Sequence, residues 1–399
     1  MTDHPRRVTL VLCTGDGSVL GSLPPLEVGL PWWPEARPVV EAARAAHGID
    51  VTLLRLLDGE PTEIGTGGGR VTYLAEVACR PTIPLAPWRR ALPDDPLRMT
   101  WAIPGGPAAD VAWADSMLEG RGTPRTGAPR QVRTWNLSSL WRLPIEGGAA
   151  WLKVVPPFFA HEGRILERLD PAIVPRLLAS DGPRLLLEEI PGEDRYAATG
   201  EALLRMVALL VELQVGWSAR LDELLAVGAP DWRAARLQQL AEDALARTAQ
   251  ELDPSEIETL EALVAGIAVR LDEVSSCGIP DTLVHGDFHP GNVRGPDERL
   301  VLLDWGDCGI GHPLLDQAAF LAGLREEDAS AVRAQWARAW RAALPTCEPE
   351  RAASLLEPVA AIRQAVIYRS FLDRIERSER VYHASDPAHW LRRAATVSR

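Results

Sequence analysis

His285-Gly286-Asp287-Phe288-His289-Pro290-Gly291-Asn292, followed by Leu302-Leu303-Asp304-Trp305-Gly306, decides how this chain is read. An Asp and an Asn five positions apart, then an Asp on a second short strand, are what phosphoryl transfer from a nucleotide requires. One carboxylate meets the attacking hydroxyl, while an amide oxygen and another carboxylate hold magnesium on the phosphates. Val293-Arg294 leads into Gly295-Pro296-Asp297-Glu298, a turn signal, and Leu300 to Leu303 is a short apolar strand. The resulting hairpin returns Asp304 to the side of Asn292, within reach of one ion. Asp287 is therefore the candidate catalytic residue, and Asn292 and Asp304 are the candidate Mg2+ ligands.

The composition adds a second observation. Of 42 basic residues, 41 are Arg and one is Lys, Lys153. It lies in the apolar run Ala149-Ala150-Trp151-Leu152-Lys153-Val154-Val155, after a Gly147-Gly148 turn. A compact ammonium suits a narrow site on the α- and β-phosphates better than a broad guanidinium. Protein kinases carry such a Lys on such a strand, and their catalytic loop places His, Asp and Asn at the offsets of His285, Asp287 and Asn292. Glu162, nine residues after Lys153 at a helix start, is the candidate carboxylate that holds the Lys, in preference to Glu167.

At 399 residues the chain is long enough for two or three lobes, and 46% hydrophobic content is ample for their cores. The polar Met1–Arg7 segment lacks the apolar stretch of a secretory signal. Five scattered cysteines show neither disulfide nor zinc spacing, so a reducing, cytoplasmic setting is expected. A net charge of −13 argues against nucleic acid and is compatible with a cationic acceptor. No apolar run is long enough for a membrane span.

Three regions separate along the chain. Residues 1–118 give a strand at Val8–Cys13, a helix from Ala36 to His47 closed by Gly48, and strands at Val51–Leu56 and Val71–Val77. Residues 119–131, rich in Gly, Pro, Thr and Arg, read as a linker. Residues 132–192 are strands with one helix, and 193–399 are mainly helical apart from the hairpin. The expected class is α+β, a bilobal plan with a small mixed lobe and a large helical one. Leu185-Leu186-Leu187-Glu188-Glu189-Ile190-Pro191-Gly192 reads as the connection between lobes, where backbone groups of Glu188, Glu189 or Ile190 meet an adenine edge. Ser138 and Ser139 stand where a phosphate-covering loop is expected. His285 is read as buried and structural, His289 as bonding within the loop, Asp307 as steadying it, and Asp316 as a helix cap or a support of the catalytic loop. Asp373, Glu376 and Glu379 read as partners of a cationic acceptor or, more blandly, as a solvated helix face.

Taken together, residues 132–399 resemble the aminoglycoside phosphotransferase and choline kinase family, on the H-G-D-x-x-x-x-N loop, the later Asp, the lysine strand and the strand running into Pro-Gly. The resemblance implies a protein-kinase-like fold, Mg2+ with ATP or GTP, and phosphorylation of a hydroxyl on a small molecule such as an aminoglycoside, nucleoside or amino alcohol. Asp287 would orient or deprotonate that hydroxyl. The Leu-His pair common in the family's long helix is Leu213-Gln214 here. Residues 1–118 resemble a Nudix fold in which Ala42, Ala45 and Ala46 replace the box carboxylates. Such a domain lacks metal ligands and would serve in binding, packing or homodimerisation. The alternative to an enzyme is a nucleotide-binding pseudoenzyme or ligand sensor. Retention of Lys153, Asp287, Asn292 and Asp304 together argues against it.

Overall fold

The apolar run expected as the first strand lies inside β1 (Arg6–Cys13), whose residues from Leu10 onward are almost wholly buried. It is joined by β2 (Val19–Ser22) and β3 (Leu26–Val28), both antiparallel to it. Helix α1 (Arg37–His47) follows and ends on Gly48, whose φ of 67° is left-handed and whose N–H reaches the Arg44 carbonyl. β4 (Thr52–Glu60) and β5 (Gly69–Glu76) complete a mixed sheet of order β2-β1-β5-β4, in which β1 and β5 run parallel. α2 (Gly106–Gly120) leads on to β6 (Arg130–Trp135), β7 (Ser138–Ile145), β8 (Gly148–Val154), β9 (Leu177–Asp181) and β10 (Arg184–Glu188). These form an antiparallel sheet of order β6-β7-β8-β10-β9. This computed structural model describes residues 4–62 and 67–398. The chain divides into two compact units, and both sheets belong to the first, made of Met1–Ala160, Leu177–Glu189 and Phe371–Ser385.

Within that unit β6 is bound by both sheets. The Gln131 side chain donates to the Leu53 carbonyl at 2.7 Å and accepts the Leu53 amide at 2.8 Å. Ala36 N–H reaches Val132 O at 3.0 Å, and Thr134 N–H reaches Pro34 O at 2.9 Å. The fully buried Arg6 guanidinium holds the Leu30–Glu35 loop by donating to Leu30 O and Glu35 O. Every buried donor in this set has an acceptor, as burial demands.

The returning segment Phe371–Ser385 belongs to the same unit, and this corrects one expectation. Glu376 and Glu379 are neither acceptor partners nor a solvated face, being 2% and 8% exposed. Glu376 meets Arg98 at 3.1 Å and Arg55 at 3.9 Å, while Glu379 accepts the Leu56 amide at 2.8 Å. The two carboxylates of this short turn thus meet the buried Arg55, the partly buried Arg98 and a main-chain amide, because burial of a charge alone is expensive.

The second unit comprises His161–Arg176, Ile190–Ser370 and Asp386–Arg399. It contains α3 (His161–Leu166), α4 (Glu201–Trp217), α5 (Leu221–Ala226), α6 (Ala234–Thr248), α7 (Pro254–Ala265) and α8 (Ile267–Ser275). Two short ladders follow, β11 (Thr282–Val284) with β14 (Gly309–Gly311) and β12 (Val293–Arg294) with β13 (Val301–Leu302). Helices α9 (Gln317–Leu321), α10 (Glu326–Ala343), α11 (Pro349–Leu372) and α12 (Asp386–Val397) close the chain. Among the described residues no helix is long and apolar enough to cross a membrane.

Candidate active site

β11 is buried throughout and delivers the chain into His285-Gly286-Asp287. Gly286 has φ 95°, and a Cβ there would lie 2.0 Å from the Asp307 carbonyl oxygen, so no other residue fits this turn. The bend is held from below by Asp316, whose carboxylate accepts the His285 amide at 2.9 Å and the Gly286 amide at 2.8 Å. Asp316 makes no side-chain cap to α9, so loop support, not helix capping, is its role in the structure. Burial raises its pKa to about 6, against the opposing pull of Arg363 and the two amides.

Two further residues hold this bend: Gln214, which stands in the Leu-His position noted above, and Arg363, which no motif marks. The side chain of Gln214 of α4, fully buried, donates to Asp316 at 3.0 Å, and its main-chain carbonyl accepts the Thr282 hydroxyl. Arg363 of α11, equally buried, donates to Gly286 O and Asp307 O, each at 3.0 Å, and lies 4.6 Å over the Trp232 ring. Both had a signal in the sequence, each being a polar residue on the apolar stripe of its helix: Leu203, Val207, Leu210 and Trp217 flank the first, Leu356, Val359 and Val366 the second.

His285 is buried, as expected, with its ring 4.5 Å from Trp305 and Nε2 2.8 Å from Leu303 O. Burial depresses its pKa to about 4, so it is neutral. His289 bonds within the loop: Nδ1 accepts the Gly291 amide at 3.0 Å, which places the proton of the neutral ring on Nε2, 3.6 Å from Asp287 Oδ2. Burial pushes the Asp287 carboxyl up, but the hydrogen bond from His289 opposes it and the group lies below its usual value. An ionised carboxylate, with its side chain 42% exposed, is thus presented at this point.

The expected hairpin is present. Val293 pairs with Leu302 and Arg294 with Val301, and Leu303 N–H closes on Asn292 O at 2.7 Å. Asn292 Nδ2 donates to both the main-chain oxygen and Oδ2 of Asp287, at 2.9 and 3.1 Å. That fixes the amide orientation and turns Oδ1 away from Asp287 as an acceptor. Asp304 has φ 60° and is exposed, the one positive-φ residue other than glycine among those described. A left-handed Asp is strained and needs its surroundings to hold it. Here the next residue does so: the Trp305 side chain is buried, its amide donates to Glu162 Oε1 at 3.2 Å and its indole to Leu302 O at 2.9 Å. Glu162 is buried on α3, while Glu167 is exposed.

These oxygens suit a hard cation. No cluster of three or more His, Cys, Asp and Glu side chains able to hold a metal occurs among the described residues. Magnesium does not need one, since it commonly takes one or two carboxylates and completes its shell with phosphates and water. Asn292 Oδ1 and Asp304 fit that donor set.

In the first unit, Lys153 sits on β8 between Leu140 of β7 and Leu185 of β10, its side chain on the face opposite buried Leu152 and Val154. The expected phosphate-covering loop is a tight turn at Asn136-Leu137. The Ser138 hydroxyl accepts Trp135 Nε1 at 3.1 Å. Ser139 is buried and its hydroxyl accepts Trp141 Nε1 at 3.0 Å. The Glu189 carboxylate is held by Arg142 at 2.7 and 3.2 Å, and Glu188 is exposed at the end of β10. The Ile190 carbonyl, in the second unit, accepts Arg294 Nε at 2.9 Å.

The phosphotransferase enzyme family matches this chain over residues 145–353, more than half its length. No curated protein matches it. Among solved structures, the macrolide 2'-phosphotransferase of Brachybacterium faecium is similar at 19% identity and a TM-score of 0.51, covering 69% of this chain and 97% of that one. A type I macrolide 2'-phosphotransferase is similar at 16% identity and a TM-score of 0.51, covering 71% and 97%. APH(2″)-IIa in its gentamicin complex has 18% identity and a TM-score of 0.50, covering 70% and 95%. These likenesses establish the protein-kinase-like fold.

Proposed function

This chain belongs to the phosphotransferase enzyme family and is a small-molecule phosphotransferase, and we propose that it moves the γ-phosphate of ATP or GTP, bound with Mg2+, to a hydroxyl of its acceptor. The observation that carries this reading is the coupling of Asp287 to Asn292: one amide group orients the carboxylate through Nδ2 and offers its oxygen to a cation. Asp287, ionised and half-exposed, takes the hydrogen bond of the acceptor hydroxyl and aligns its oxygen for in-line attack. A carboxylate below its usual pKa is a weak base, so orientation contributes more than early proton removal. It accepts the proton once the oxygen has bonded to phosphorus. Asn292 Oδ1 and Asp304 would hold Mg2+, which neutralises phosphate charge when bound. Lys153, in the first unit, carries the compact positive charge that suits a phosphate.

The first sheet of the chain takes a packing role in this reading. Ala42, Ala45 and Ala46 of α1 offer no oxygen to a metal, while the hydrogen bonds of Gln131 join that sheet to β6. The test of the proposed function is transfer to aminoglycosides, macrolides, nucleosides and amino alcohols with Mg-ATP and Mg-GTP, the phosphorylated product being identified by 31P NMR. A phosphomonoester on one acceptor class is expected. Nucleotide hydrolysis indifferent to every acceptor would reject the reading.

A further inference from the structure

Among the described residues, Tyr196 is the most exposed of the large hydrophobic side chains, at 73%. A single exposed aromatic is ordinary. The way this one is held is not. Its segment is pinned to the hairpin that carries Asn292 and leads to Asp304: Arg195 N–H donates to Val293 O at 3.0 Å, and the Arg195 guanidinium to Gly295 O at 3.0 and 2.5 Å. Arg294 returns the contact by donating to Ile190 O. The Tyr196 amide is further fixed by Asp194 Oδ1 at 3.2 Å. The ring stands edge-on to His289, centroids 6.0 Å apart at 75°, over Gly291. A Cβ on Gly291 would lie 2.5 Å from Tyr196 Cδ2, so the glycine is what admits the ring. An aromatic side chain on a pinned segment thus shares the neighbour His289 with Asp287, while most of its surface is left to solvent.

We propose that Tyr196 is the acceptor platform of this enzyme, and that the acceptor hydroxyl is carried on a ring whose face packs on the tyrosine. This rests on the transferase reading given above and narrows it. The ring face does the selecting. His289 contacts both Tyr196 and the carboxylate, its ring centroid 6.0 Å from that of Tyr196 and its Nε2 3.6 Å from Asp287 Oδ2. An open-chain amino alcohol on Asp287 has no ring face to offer Tyr196, whereas a sugar or nucleoside brings one. Rings present a broad C–H or π face to an aromatic side chain, and immobilising that side chain beforehand lowers the entropic cost of the contact.

The test measures transfer by the full chain with kanamycin, erythromycin and uridine as ring-borne hydroxyls and choline and ethanolamine as open-chain ones. Turnover is expected with a ring-borne probe. For that probe, Tyr196→Ala raises the acceptor KM roughly five- to tenfold, with kcat within about twofold and the nucleotide KM unchanged. Tyr196→Phe, which keeps the face, stays near the wild type. An unmoved acceptor KM in Tyr196→Ala overturns the inference. So does a rise in nucleotide KM in its place, or turnover confined to choline or ethanolamine. These results leave the transferase reading intact. Transfer that survives in Asp287→Asn, or no transfer to any probe, rejects that reading and the inference with it.

Discussion

Gln214 Nε2 donates to Asp316 Oδ2 across 3.0 Å, and the same carboxylate receives the amides of His285 and Gly286. The bend that presents Asp287 is therefore set by a side chain on α4, seventy residues earlier. A neutral amide makes the donation.

Gln214→Leu should leave the buried carboxylate one donor short and destabilise the second unit by about 1–3 kcal/mol, read from denaturant unfolding. Transfer should fall with it, because the bend loosens. Gln214→His restores an N–H and is expected to recover most of both. Equal stability of the Leu variant and the wild type would show that the contact is idle.

Arg363 is fully buried with carbonyls of Gly286 and Asp307 as its acceptors, and Asp316, Asp307 and Asp287 favour its charge against burial. Arg363→Ala should cost about 3–5 kcal/mol, the usual range when one partner of a buried charged set is removed. Arg363→Lys should not restore stability, since one ammonium cannot span two carbonyls held by a planar fork. Full rescue by Lys would refute the geometric part of this account.

Glu379 gives a pH dependence in the first unit. Burial lifts its pKa from 4.5 to about 7, with Glu376 adding to the rise and the Leu56 amide, Asn136 and Arg55 opposing it. The folded chain thus holds this proton more tightly than the unfolded one. The stability it contributes is complete below about pH 4.5 and disappears as pH climbs through 7. Thermal unfolding should show Glu379→Gln losing less stability than the wild type between pH 5 and 8. Parallel curves would mean the carboxyl titrates normally.

Much of the site was legible because phosphoryl transfer fixes residue types at fixed spacing. Asp287, Asn292 and Asp304 follow from the loop and its hairpin, and the ladder between Val293 and Leu302 bears out that hairpin. Single-residue positions without a spacing rule were harder. Ser139 looked like a phosphate donor because Ser in a turn is exposed on average, and only the neighbouring Trp141 indole reveals where its hydroxyl goes. Glu376 and Glu379 looked solvated because their buried partners, Arg55, Arg98 and the Leu56 amide, lie about 280 to 320 residues away in sequence. The left-handed backbone at Asp304 carries no sequence signal, since a carboxylate there reads the same in any conformation.

The role of Asp287 is decided by Asp287→Ala, with acceptor-dependent phosphate transfer and Mg-nucleotide affinity measured on the same preparation. Loss of transfer by a factor of at least about 100, with nucleotide affinity kept within a few fold, is the result expected of a residue that meets the acceptor hydroxyl. Turnover equal to the wild type would contradict that role.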